Sequence, residues 1–164
     1  MAVSTGVSRA FLDSILEVSF FRSILNGTVD HFGEGSCQIR IAVKPEHRQF
    51  LGAAHGGIVG ALADDACAWA CASVAGELVT ASYAINLVAP AMGDVLIARG
   101  QLLKAGRHMI VGRADVYSVR DHEEKLVAVY QATLARIERR SPGQADLDRG
   151  LAKGFDGDSF EGCR

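Results

Sequence analysis

The sequence predicts a single α+β domain, on three observations: one long apolar helical stretch in the middle, a β-hairpin ahead of it, and a run of alternating strands behind it. The order is helix, hairpin, central helix, then a four-strand meander, which excludes a βαβ array. With 164 residues, 49% hydrophobic content and only three prolines, the chain is long enough to bury one substantial core.

The first element covers residues 7–25. Phe11, Leu12, Ile15, Leu16, Val18 and Phe21 approximate helical spacing, with Asp13, Glu17 and Arg22 on another side, so an amphipathic helix or two short ones are expected. Those charges also interrupt any continuous apolar run, and neither a signal peptide nor a membrane span is predicted. After the Asn26-Gly27 turn signal, residues 28–32 suit a short strand, and Gly33-Glu34-Gly35 a tight connection. Its partner is residues 38–44, where Ile39, Ile41 and Val43 share one face before Pro45 ends the run.

A polar connection over residues 46–54 leads to the central helix, predicted from His55 or Gly56 to Val74, with Gly76 as its breaker. Gly60, Ala61, Ala63, Ala66, Ala68, Ala70 and Ala72 allow a sheet to wrap close around it. Residues 80–88 alternate Ala81, Tyr83, Ile85 and Leu87 against Thr80, Ser82, Ala84 and Asn86, a strand with one apolar face. Residues 95–103, 109–119 and 125–137 form three longer antiparallel strands joined by short polar turns. From residue 141 onward, too few apolar side chains remain to offset ordering entropy, and a mobile tail is expected. The divisions are thus an N-terminal helical segment (1–26), the main domain (27–140) and the tail (141–164).

Composition narrows the function classes. The net charge of −2 comes from interspersed acids and bases, with no basic face for nucleic acid or an anionic membrane. Cys37, Cys67, Cys71 and Cys163 show no framework spacing, which favours reduced thiols in a cytoplasmic protein. Cys67 and Cys71 lie one helical turn apart, but no CxxC or HxxxH motif supplies the remaining ligands, so no metal is expected. Trp69 and Cys71 read as core residues. His31, His47, His108 and His122 lack a paired motif and read as surface or packing residues.

The chemistry concentrates in the central helix. Between Gly57 and Ala75 the only charges are Asp64 and Asp65, and removing a carboxylate from water costs several kcal/mol unless it is paired or hydrogen-bonded. Such a group marks a site. Asp65 points about 100 degrees away from Asp64 and is read as structural. Across nine residues a helix advances about 13.5 Å and turns about 900 degrees, so His55 and Asp64 face opposite ways in one chain. A two-fold dimer places the start of one helix beside the middle of its mate.

His55-Gly56-Gly57, Leu62-Ala63-Asp64 and the strand Thr80-Ala81-Ser82-Tyr83-Ala84-Ile85-Asn86 leading to Ala89-Pro90-Ala91 resemble the PaaI-like hotdog-fold acyl-CoA thioesterases over about residues 20–138. The resemblance implies a curved antiparallel sheet wrapped around a long central helix, with the N-terminal helix as an addition. It implies dimers that pair into tetramers, an intersubunit thioester site, and an acyl-CoA substrate handled without cofactor. It carries over His55, Gly56 and Asp64. Gln49, six positions before His55, stands where many such proteins have Asn, and is expected to orient substrate or water.

In this scheme the Gly56 N–H, at the positive end of the helix dipole, is the oxyanion donor, and His55 shapes the loop or caps a backbone group. Asp64 acts as nucleophile or general base. Thr80 and Ser82 hold Asp64 or the attacking water, Gly57 lines the substrate, and Arg107 contacts CoA phosphates beside Lys104 and Arg113. Two alternatives are an acyl-CoA-binding hotdog module without activity and a hotdog dehydratase or hydratase; no motif pairs a His and an acid for the latter.

Overall fold

The computed structural model describes residues 6–137. The expected tail, residues 141–164, lies outside them. The N-terminal region forms two helices, α1 (Arg9–Leu16) and α2 (Phe20–Ser23). The break falls at Ser19, whose hydroxyl accepts the Arg22 N–H at 3.4 Å and starts the second helix, as Ser8 starts the first by capping Phe11. Leu12, Leu16, Phe21 and Leu25 are buried. Full burial of each such side chain contributes on the order of 2 kcal/mol.

The hairpin is β1 (Thr28–Gly33) and β2 (Ser36–Ala42), and the central helix α3 runs Gly56–Ala75. Then follow β3 (Leu78–Leu87), β4 (Val95–Ala105), β5 (Met109–Arg120) and β6 (Glu123–Arg136). All six strands form one antiparallel sheet in the order β1-β2-β4-β5-β6-β3, and α3 packs against every strand. This is the hotdog arrangement, a sheet curled around one helix. By length and composition α3 could span a membrane, but Leu62, Ala63, Ala66, Cys67, Ala70 and Cys71 are buried against the sheet.

Two features differ from the expected meander. Only β4, β5 and β6 follow one another. β3 pairs with β6, and β4 pairs with β2, so β3 becomes an edge strand. Its apolar side chains are accordingly exposed in the single chain, Tyr83 by 60% and Leu87 by 56%. A bulge between Thr80 and Ser82 also breaks the simple alternation. Thr80 opposes Leu134 and Tyr83 opposes Ala132, both buried residues of β6, whereas Ser82 opposes Thr133. Thr80 therefore shares the helix-facing side with Tyr83, Ile85 and Leu87, and Ser82 faces the other way.

The N-terminal helices complete the core over the far end of α3. The Val7 N–H donates to the Ala72 carbonyl at 2.9 Å, and Phe21 meets Trp69 edge-on at 4.9 Å between centroids. Trp69 is a packing residue, as its setting in the sequence suggested.

Candidate active site

The loop before α3 is pinned on both sides. Arg48 donates to the carbonyls of Gly52 (2.8 Å) and Gly93 (3.1 Å), and the Ala54 N–H reaches the Ala91 carbonyl at 2.9 Å. Gln49 folds back on this loop: its Oε1 accepts the Leu51 N–H at 2.9 Å, leaving the amide NH2 as the group available to a ligand. His47, which the sequence left among surface or packing residues, is buried and accepts the Lys44 N–H on Nδ1 at 3.2 Å. Its carbonyl receives the His55 N–H at 2.8 Å, which fixes where the helix begins.

His55 is the N-cap of α3. Its Nδ1 accepts the Gly57 N–H at 3.0 Å, so the neutral imidazole carries its proton on Nε2. This capping has two consequences. The Gly57 N–H is already occupied, so Gly57 has no backbone donor to offer a substrate. The Gly56 N–H, by contrast, makes no hydrogen bond among the described residues and sits at the positive end of a 20-residue helix. A crevice of about 610 Å³ opens here, lined by Gln49, Phe50, His55, Gly56, Leu87 and Pro90 among others. A side chain on Gly56 would stand 3.0 Å from Leu87 Cδ1, so glycine keeps the approach to that N–H open.

Asp64 lies eight residues further along α3, about 12 Å by helical rise, and is not part of this crevice. One of its oxygens, Oδ1, accepts two hydroxyls: Thr80 Oγ1 at 2.8 Å and Tyr130 Oη at 2.5 Å. Thr80 thus holds the carboxylate as expected. Ser82, on the opposite face of β3, does not reach it. Tyr130 is the partner that sequence reasoning missed. It comes from β6, 66 positions away, and in an alternating strand it reads only as a core aromatic.

Arg107 sits at the other end of α3, in a separate crevice with Ala75, Gly76, Glu77 and His108. Within one chain it is far from both Gly56 and Asp64. Arg113 is paired with Asp115 at 2.6 Å. Among the described residues no group of three His, Cys, Asp or Glu side chains is placed to hold a metal ion.

Asp65 points away from the Asp64 cluster and has no hydrogen-bond partner among the described residues. Burial, and then the neighbouring Asp64 charge, push its carboxyl from 3.8 up to about 7. The fold therefore prefers Asp65 protonated. Between pH 4 and 7 the folded chain holds a proton that the unfolded chain has released, so stability falls as pH rises through this window. Asp65→Asn is expected to relieve the penalty. In urea unfolding at pH 8 the variant should be more stable than wild type by about 1–3 kcal/mol, allowing for partial solvent access, and the gap should shrink at pH 5. A gap that stays constant with pH would contradict this assignment.

Comparison with known proteins agrees with the fold. Residues 51–125 match the thioesterase superfamily. A thioesterase family protein from Silicibacter pomeroyi is 27% identical with a TM-score of 0.73, covering 76% of this chain and 93% of its own. The PaaI protein from the phenylacetic acid degradation operon of E. coli is 25% identical, covering 77% of this chain and 91% of its own, with a TM-score of 0.70. A mutant of the phenylacetic acid degradation protein PaaI from Thermus thermophilus is 30% identical over 73% of this chain and 100% of its own, with a TM-score of 0.65. No curated protein matches the chain. The sheet curled around α3 is thus the fold of these neighbours, and the chain belongs to the thioesterase superfamily as a PaaI-like hotdog protein.

Proposed function

We propose that the chain is an acyl-CoA thioesterase that hydrolyses small or aryl acyl thioesters at a site shared by two copies. The observation that carries this reading is the division of labour along α3: an unclaimed N–H at Gly56 and a hydroxyl-held carboxylate at Asp64, too far apart to meet one carbonyl. The exposed edge of β3, with Tyr83, Leu87 and Val88, supports a second copy there, since long apolar sheet edges seldom stay uncovered. The origin of the E. coli neighbour in a phenylacetic acid operon supports an aryl acyl group. Free Cys37, Cys67 and Cys71 support a reducing, cytoplasmic setting.

In this reading the thioester carbonyl points its oxygen at the Gly56 N–H of one copy. Asp64 of the other copy attacks the carbonyl carbon or takes a proton from an attacking water. Negative charge then builds on the carbonyl oxygen, where the helix dipole and a water-poor site make the N–H count most. Collapse of the adduct expels the CoA thiolate. With water as the nucleophile this leaves the free acid directly. With Asp64 as the nucleophile it leaves an acyl–Asp64 anhydride, which water then hydrolyses to the free acid and the regenerated carboxylate. His55 keeps the Gly57 N–H occupied and so holds the turn that presents Gly56.

The test is loss of thioester absorbance across short, medium, long and aryl acyl-CoAs. Turnover of short or aryl substrates is expected, and tight binding without turnover would make the chain a binding module. The shared site is tested by mixing two inactive variants under conditions of subunit exchange. Gly56→Pro removes the N–H at a position where helices accept proline, and Asp64→Asn removes the acid. Random exchange makes half the dimers mixed, each with one intact site, so about a quarter of wild-type activity should return. No return despite proven exchange would place the whole site within one chain.

A further inference from the structure

The geometry points to Tyr130 as a positioning residue for Asp64: with Thr80 it immobilises Oδ1, so that Oδ2 is the oxygen that meets the thioester or its attacking water. This inference rests on the thioesterase reading above and extends it to a residue outside the family-like motifs.

Tyr130 is fully buried at the centre of β6, opposite Ala114 of β5 and Ile85 of β3. Ala128 and Ala132, two positions to either side on the same face, leave room for the ring beneath α3. Tyr83 stacks on it at 5.2 Å with an interplanar angle of 27°. With the ring held in this way, the phenol hydroxyl has one acceptor at hand, Asp64 Oδ1 at 2.5 Å, the length of a charge-assisted O–H···O⁻ bond. Thr80 Oγ1 donates to the same atom at 2.8 Å. A carboxylate oxygen accommodates two donors, and rotating the carboxylate plane would break both bonds at once.

The other oxygen differs. No described residue hydrogen-bonds to Oδ2, and no buried side-chain oxygen among the described residues lacks a partner, so Oδ2 is open to solvent. One oxygen is anchored and one is presented. Tyr130 itself stays protonated, because burial and the Asp64 charge both push its phenol upward. It is therefore a fixed donor and not a source of protons for the leaving thiolate. The other titratable groups around the pair are Asp65 and Cys67 on α3 and Tyr83 on β3, none of them cationic.

The test compares Tyr130→Phe with wild type in steady-state acyl-CoA hydrolysis over a range of pH, with Asp64→Asn as the control for the underlying reading. Losing one hydrogen bond to a charged group should lower kcat about 10- to 100-fold while KM changes less than about threefold. The acid limb of kcat/KM should move up by about one pH unit, because the carboxylate loses a donor. A residue that only fills space would leave that limb in place. Thr80→Val should shift the limb the same way. Should Tyr130→Phe fail to fold, 3-fluorotyrosine at position 130 keeps the ring and strengthens the donor, and the limb should then move down. A folded Tyr130→Phe with unchanged kcat and limb, in an enzyme that Asp64→Asn inactivates, would overturn the role of Tyr130 alone. Full turnover by Asp64→Asn would instead overturn the reading of Asp64 as the working acid, on which it rests.

Discussion

Asp64→Asn is expected to lower turnover of the best acyl-CoA substrate by about a thousandfold while leaving affinity for a non-hydrolysable thioester analogue nearly unchanged. The substitution is close to isosteric. The amide oxygen still accepts the hydroxyls of Thr80 and Tyr130, so the packing of α3 against β3 and β6 is retained. What disappears is the negative charge at the open oxygen, and with it the capacity to attack a carbonyl or take a proton from water. Such groups contribute roughly 10²–10⁴ in rate. The loss should fall on kcat, because the carboxylate acts as the transition state forms and not in holding the CoA portion. Steady-state kinetics paired with calorimetric titration of the analogue measure both quantities. If the variant keeps turnover within tenfold of wild type, Asp64 is not the working acid. Asp65, about 100 degrees around the helix, then becomes the group to test.

Gly100→Ala is expected to damage the fold severely, costing about 3 kcal/mol and lowering Tm by about 10 °C. Gly100 lies in β4 where α3 crosses it. A Cβ there would stand 2.0 Å from the Ala66 carbonyl oxygen and 2.8 Å from the Cys67 nitrogen. Both are backbone atoms of a buried helix and have no rotamer by which to withdraw. The helix must lift, and lifting it opens voids around Ala66, Cys67, Ala70 and Ala98, all fully buried. Because Asp64 sits just before this contact, activity should fall with stability. Thermal melts of the variant and wild type decide the matter: a midpoint within 2 °C of wild type would show that the helix has slack over the sheet.

The sequence and the structure agree best where local chemistry is strong. The bounds of α3 were legible because His55 is a suitable N-cap, the apolar run is unbroken, and Gly76 takes a φ of 84° at its end. Asp64 stood out because a carboxylate in that run needs compensating partners, and the structure supplies them in Thr80 and Tyr130. Gly56 followed from the orphan N–H of any helix start. The alternation of β2, β4, β5 and β6 identified them as strands with one buried face, and their short turns made most of the pairing readable. Gln49, by contrast, was named without its geometry, since nothing local says that its oxygen turns back to Leu51.

The sequence by itself determined which segments form helix and strand, that one acid is stranded in an apolar helix, and that this acid and His55 lie on opposite sides of it. Only the tertiary structure decided that β3 leaves the meander for the edge beside β6, that a bulge turns Thr80 inward and Ser82 outward, and that Tyr130 reaches across the sheet to Asp64. The reason is physical. Periodicity reports which face of an element is apolar, a property of neighbours in the chain. Strand order, bulges and a hydrogen bond between residues 66 positions apart depend on how those faces are brought together around one helix.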